Sequence, residues 1–241
     1  MKKVFLVLAI ALISSVTILE AQSLKGLKKK LKDKISTSGS GLSEEEIGNG
    51  LKEALNKGVE KGVAQVSKPD GYFKDEFIKI LMPEEAKKVE DKLRKLGQDK
   101  LVDDAIESMN RAAEDAAKSA KDIFVDAIRQ MTIQDAVGIL KGEDDAATQY
   151  LNRTTNNKLN ASFQPIIKTS LDKVGATKHW NAVISAYNKI PFVDKVNPDL
   201  DQYVTEKAIE GLFVQVAKEE KEIRENPAAR TSDLLKKVFG Q

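Results

Sequence analysis

Cysteine is absent from this chain, and histidine occurs once, as His179. Disulfide staples, thiol nucleophiles and structural zinc are thereby excluded, and any relay that needs an imidazole has a single candidate. Aromatic residues make up only 5% of the sequence, and no stretch sustains the apolar-polar alternation of a half-buried strand. Charge of one sign is also missing. The excess of Lys plus Arg over Asp plus Glu is two, with the signs interleaved, so no broad basic field exists to bind a phosphate backbone. Nucleic acid is therefore not an expected partner.

What is present begins with an address. MKKVFLVLAIALISSVTILEA has a two-lysine start, an apolar run and a small residue at a cut site, the pattern of a secretory signal peptide. Ser14, Ser15 and Thr17 interrupt the apolar run short of the roughly 20 residues that a membrane-spanning helix needs. Cleavage after Ala21 is the expectation. Leu19 is larger than an A-x-A site prefers, which leaves a retained anchor as the alternative. The protein is thus expected to be periplasmic or secreted. Without cysteine, a chain of this length must stabilise itself by burial, for which one domain with one core suffices.

Residues 22–41 follow as a lysine-rich amphipathic segment and a Ser/Gly linker. In SLKGLKKKLKDKI (23–35), Leu24, Leu27, Leu31 and Ile35 fall at helical spacing, with Lys25, Lys28, Lys29, Lys30 and Lys32 among the intervening residues. Such a segment can make weak, salt-sensitive contact with an anionic membrane surface; the plainer reading is a solvated spacer. STSGSG (36–41) is flexible by composition.

From residue 42 to 241 the spacing predicts helix almost throughout, hence an all-α, single multi-helix domain. Ser43 and Glu46 have the form of a capping box. Beyond them, Ile47, Leu51, Leu55, Val59 and Val63 form an aliphatic row beside a small-residue row, Gly50, Ala54, Gly58 and Gly62. Small residues let another backbone approach, so this row is a candidate groove for a ligand or partner helix, with close packing inside the domain as the bland alternative. Lys68-Pro69-Asp70-Gly71 predicts a turn with Pro fixing and Gly relaxing the backbone. The segment from Tyr72 to Leu81 is ambiguous. Pro83 opens a helix ended by Gly97, and 100–130 reads as one continuous helical stretch. Thr132 with Asp135 caps a short helix closed by Gly142. Further helices are expected at 165–174, 177–189, 199–225 and 231–239.

IGNGLKEAL (47–55), ILMPEEAKKVE (80–90), LVDDAIESMNRAAEDAA (101–117), DAVGILKGEDDAATQYL (135–151), YVTEKAIEGLF (203–213) and NPAARTSDLLKKVFG (226–240) together resemble the bacterial envelope family catalogued as domain of unknown function number 4197. The resemblance covers about residues 42–240. It implies a mainly helical extracytoplasmic domain and carries over no catalytic residues.

Few residues support chemistry. Asp103, Glu107, Asn110, Arg111 and Glu114 share one helix face as a polar stripe, and two carboxylates in a cleft could do acid-base work. The ordinary reading is an exposed ladder in which Arg111 pairs with Glu107 and Glu114. Glu107, Glu114 and His179 are the weak catalytic candidates. Asn197, Asp199 and Asp201 imitate the start of a calcium loop, but Gln202 stands where glycine is required and Ala208 where a bidentate glutamate should be. Helix capping by Asp199 is expected instead, with no metal and no cofactor. The favoured function is non-enzymatic binding of a hydrophobic small molecule or an envelope protein's helix. The alternatives are a carboxylate-dependent hydrolase acting on an envelope polymer and a membrane-surface structural protein.

Overall fold

Helical spacing does dictate the structure. A computed structural model describes residues 43–189, 191–192, 195–197, 199–229, 232–233, 236 and 238. The expected signal peptide and the lysine segment with its linker lie outside these residues, as does most of the 231–239 helix. Residues 44–240 cluster as one unit. Among the described residues the α-helices are α1 (Glu44–Val66), α2 (Lys87–Lys95), α3 (Asp99–Ala117), α4 (Ala120–Gln130), α5 (Ile133–Leu140), α6 (Ala146–Lys173), α7 (Ala176–Tyr187) and α8 (Leu200–Glu225). Short 3₁₀ turns occupy Glu84–Ala86 and Pro227–Ala229.

The long helices α6 and α8 form the centre. Along α6 the buried residues Ala147, Leu151, Thr155, Leu159, Phe163, Ile167 and Leu171 recur every fourth position. Because an α-helix turns about 100° per residue, each such step advances the buried face by roughly 40°, and six steps carry it well past halfway round. One flat partner cannot cover a face that rotates so far. Accordingly α6 packs against α3, α4, α5, α7 and α8 along its length. Phe124 of α4 meets Phe213 of α8 edge-on, ring centroids 5.7 Å apart, within the same core.

Two expectations about breaks require correction. The 100–130 stretch is divided into α3 and α4 at Lys118-Ser119, where the Ser119 N–H and hydroxyl both donate to the Ala116 carbonyl (3.0 and 2.9 Å) instead of prolonging the helix. Conversely, α6 runs unbroken through Pro165, where a new helix was expected to start. Pro165 and Ala161, the residue whose carbonyl loses its partner, are both exposed, so water can satisfy that carbonyl.

Local caps fall where the sequence places them. Thr132 and Asp135 form a reciprocal capping box at the head of α5. Asp199 caps α8, its carboxylate accepting the Gln202 N–H at 2.9 Å.

The small-residue row of α1 is not an open groove. Gly50, Ala54, Gly58 and Gly62 are all buried, and α8 lies across the last three: Ala54 packs with Ile223, a Cβ at Gly58 would meet Ile223 Cδ1 at 3.4 Å and one at Gly62 would meet Gln215 Cγ at 3.7 Å. These are ordinary contacts, so the partner helix is the chain's own α8 and a methyl group would still fit. Gly211 on α8 is different. A Cβ there would stand 2.7 Å from Tyr72 Cε1 and 3.1 Å from Ile78 Cβ.

These two kinds of glycine predict opposite signs. Gly58→Ala should stabilise by roughly 0.5–1 kcal/mol through helix propensity. Gly211→Ala should destabilise by about 1–2 kcal/mol, because overpacking against a fixed ring outweighs that gain. Urea unfolding midpoints check both, and equal shifts of one sign would contradict the packing described.

Candidate functional site

Between α1 and α2 the chain has no regular structure before the 3₁₀ turn at Glu84–Ala86, and its placement comes from α3. The turn at Lys68–Gly71 closes through Gly71 N–H donating to Lys68 O (3.0 Å). Asp70, not Gly71, takes the left-handed conformation (φ 67), which corrects the expected roles within this turn. Gly71 is required for another reason: a Cβ there would lie 2.6 Å from the carbonyl oxygens of Gln65 and Val66 at the end of α1.

The polar stripe of α3 now finds its partners. Arg111 binds Asp70 (2.7 Å), Glu114 (2.9 Å) and Glu107 (3.1 Å), and its hydrogen bonds to Glu114 first, then Asp70 and Glu107, outweigh the opposing effect of burial and hold its guanidinium firmly in the charged form. Glu114 is buried and accepts the backbone N–H groups of Tyr72 (3.1 Å) and Phe73 (3.2 Å). Asn110, fully buried, accepts the Ile80 N–H and donates to the Ile80 carbonyl, each at 2.8 Å, while also donating to Ile106 O at 2.7 Å. Tyr72 reaches across to α8, its hydroxyl donating to Ala208 O at 2.6 Å. Asp103 lies at the exposed end, paired with Arg94 of α2 at 3.0 Å. The exposed-ladder reading is therefore correct for Asp103 and Glu107 and incorrect for Asn110 and Glu114, which bind the loop's backbone.

The structure does not bring the catalytic candidates into a working arrangement. Both Glu114 oxygens are engaged and Glu107 is tied to Arg111 at the surface. His179 on α7 lies elsewhere, exposed, beside a different pair of polar residues, Asp104 and Ser108. Those two are not linked to its imidazole: Ser108 donates its hydroxyl to Asp104 O (2.7 Å), and the Asp104 carboxylate takes Lys100 Nζ (2.7 Å). Lys25, Lys28, Lys29, Lys30 and Lys32 lie outside the described residues.

What His179 does border is a cavity of about 290 Å³. Val89 and Leu93 of α2, Leu101, Val102, Ala105 and Met109 of α3, and Trp180 and Ile184 of α7 form most of its wall, with Met82 from the clamped loop and Leu200 from α8. Leu101 and Val174 line it while remaining 45% and 61% exposed, which marks them as its mouth. Trp180 is the chain's only tryptophan and is 7% exposed; its buried Nε1–H has no hydrogen-bond acceptor among the described residues. Sequence reasoning passed over this site. The signal available was the sole indole beside the sole imidazole, together with a loop too irregular to read.

A second depression, about 480 Å³, runs beside the loop's outer edge, where Tyr203 of α8 donates its hydroxyl to Leu81 O at 2.9 Å. Burial, with the carboxylates of Glu210, Glu85 and Glu84 adding to it, pushes the Tyr203 phenol up to about 12.

Compared with known proteins, residues 41–240 match the family described as protein of unknown function (DUF4197). No curated protein matches the chain. No solved structure matches it either.

Two predictions follow the loop. Asn110→Ala should cost about 3 kcal/mol, since it strands both Ile80 backbone groups in a buried place; a loss under about 1 kcal/mol in urea unfolding would mean that the clamp is not needed. For Tyr203, the folded-state pKa exceeds the ordinary value near 10, so its contribution is complete below pH 10 and disappears as pH rises to about 12. The stability difference between wild type and Tyr203→Phe, followed from pH 9 to 12.5, should therefore shrink across that window, and a pH-independent difference would refute the assignment.

Proposed function

We propose that this chain, which belongs to the DUF4197 family of proteins of unknown function, is a non-enzymatic binding protein that holds a hydrophobic small molecule between α2, α3 and α7. The observation that carries the reading is the cavity itself. Apolar side chains from three helices and the clamped loop converge on one opening whose rim keeps Leu101 and Val174 in water, at a size near the lower end of small-molecule sites. Two aliphatic side chains exposed at the mouth of an apolar cavity gain burial when a guest covers them.

The other readings draw less support. A partner helix in the α1 groove would have to displace α8, which already fills it. A carboxylate hydrolase needs a free pair, and Glu114 is committed to backbone N–H groups and Arg111. The proposed setting is extracytoplasmic, supported by the signal-peptide pattern of residues 1–21; weak contact of residues 24–35 with anionic lipid is a separable part of that setting.

The neutral apolar dye N-phenyl-1-naphthylamine tests the site, because Trp180 is the only indole and can pass its excitation to a dye bound beside it. Energy transfer from Trp180 should saturate with dye. Ala105→Phe, which fills the cavity from α3, should weaken binding by about tenfold or more while leaving the helical circular dichroism unchanged. Equal binding by both proteins would place the dye elsewhere and remove the support for this function.

A further inference from the structure

We infer that the surface groove between α6 and α8 is a second binding site, which takes a neutral glycan chain and is independent of the cavity between α2, α3 and α7. The groove, about 580 Å³, is lined from α6 by Asn152, Asn156 and Asn160, at steps of four. Their side chains form a ladder in which Asn156 Nδ2 donates to Asn152 Oδ1 at 3.1 Å and Asn160 Nδ2 donates to Asn156 Oδ1 at 2.8 Å. Asn152 Nδ2 at one end and Asn160 Oδ1 at the other have no partner among the described residues, which leaves the ladder a donor and an acceptor to offer. Asparagine is among the poorer helix formers, and a face that only met water would be held better by Glu, Lys or Gln. This charge-rich chain instead spends three neutral amides here. Their mutual bonds fix them before a ligand arrives, which lowers the cost of ordering them on binding.

The complementary groups come from α8. Glu206 and Glu210 line the same groove; Gln202 takes one oxygen of the first (2.9 Å) and Lys207 one of the second (2.6 Å), so each carboxylate keeps an oxygen without a partner among the described residues. Ile209 and Phe213, both buried, give the groove an apolar base. A sugar hydroxyl donates and accepts at one atom, so it can bridge amide and carboxylate while the ring's C–H groups cover that base. No Lys or Arg lines the groove, and an acidic ligand would meet Glu206 without a cation in return. A peptide is the other chain-like ligand, but both walls are helices whose backbone groups are bonded internally, with no sheet edge for it to extend. The two carboxylates stand four residues apart on one helix face, whereas glycosidic cleavage needs a pair flanking the bond, so the groove holds a glycan without cutting it.

Side-chain amide signals of the ¹⁵N-labelled protein read the ladder directly. The probes are tetraacetylchitotetraose and maltotetraose as neutral glycans, tetragalacturonate as an acidic one and acetyl-tetraalanine-amide as a peptide. At least one neutral glycan should shift the Asn152, Asn156 and Asn160 amide signals to saturation, while tetragalacturonate and the peptide should bind about tenfold more weakly. Asn156→Ala should weaken glycan binding about fivefold, the worth of one hydrogen bond, without lowering the urea midpoint, because alanine favours the helix. The inference fails if neither glycan binds, if a glycan binds and leaves the ladder signals unmoved, or if Asn156→Ala binds as the wild type does. It fails equally if tetragalacturonate or the peptide binds as tightly as the better glycan. Should Asn156→Ala lower the midpoint and the affinity together, the wild-type signals decide: movement with glycan upholds the site and no movement overturns it. None of these outcomes bears on the cavity between α2, α3 and α7.

Discussion

One face of α3 determines how much of this protein can be ordered. Residues 67–86 join α1 to α2 with no helix beyond the 3₁₀ turn at Glu84–Ala86, and their buried backbone groups need partners from elsewhere. Asn110 provides them for Ile80 as a neighbouring strand would, accepting from the N–H and donating to the carbonyl. Glu114 accepts the N–H groups of Tyr72 and Phe73, with Arg111 pairing with its buried carboxylate. Because Tyr72 then reaches Ala208, the loop also joins α3 to α8. Remove the amide at 110 and Ile78, Ile80 and Met82 lose the frame that keeps them buried. The cavity wall loses Met82 with them.

This dependence explains why acid-base chemistry has so little to work with. A carboxylate that does catalysis must be able to change its protonation state or its partners during a reaction. Glu114 is the buried carboxylate of the stripe, and its oxygens accept three hydrogen bonds, from two backbone amides and a guanidinium. Any change of partner would break the contact with Arg111 and loosen the loop. Structure and reactivity compete for the same group, and here structure has it.

Local features were legible in the sequence and distant ones were not. The Thr132–Asp135 box and the Asp199 cap could be read because donor and acceptor are three residues apart, so only one helix start has to be right. The family could be read as well, since several motifs in order carry it. The break at Ser119 and the continuity through Pro165 could not, because each turns on which carbonyl faces water and which faces α6 or its neighbours. Asn110 posed the hardest case. On a helical wheel it borders the apolar row, a position equally suited to a half-exposed residue; only the loop that folds onto it, 30 residues earlier in sequence, makes it the most buried polar group of the stripe. The small-residue row showed the reverse error. Glycine spacing pointed to a crevice, yet α8 fills it at distances that alanine would tolerate.

The cavity differs from that row in what closes it. The surface of α1 is covered by a helix that also covers the core, so opening it would expose Ile223 and much of α8, a cost on the scale of the whole domain's stability. The walls of the cavity belong instead to α3 and to two shorter helices, α2 of nine residues and α7 of twelve. Helices this short hold their place by tertiary contact more than by their own hydrogen bonds. Trp180 and Ile184 of α7 nevertheless belong to the same buried core as α6 and α8, so one wall of the cavity is continuous with the centre of the domain.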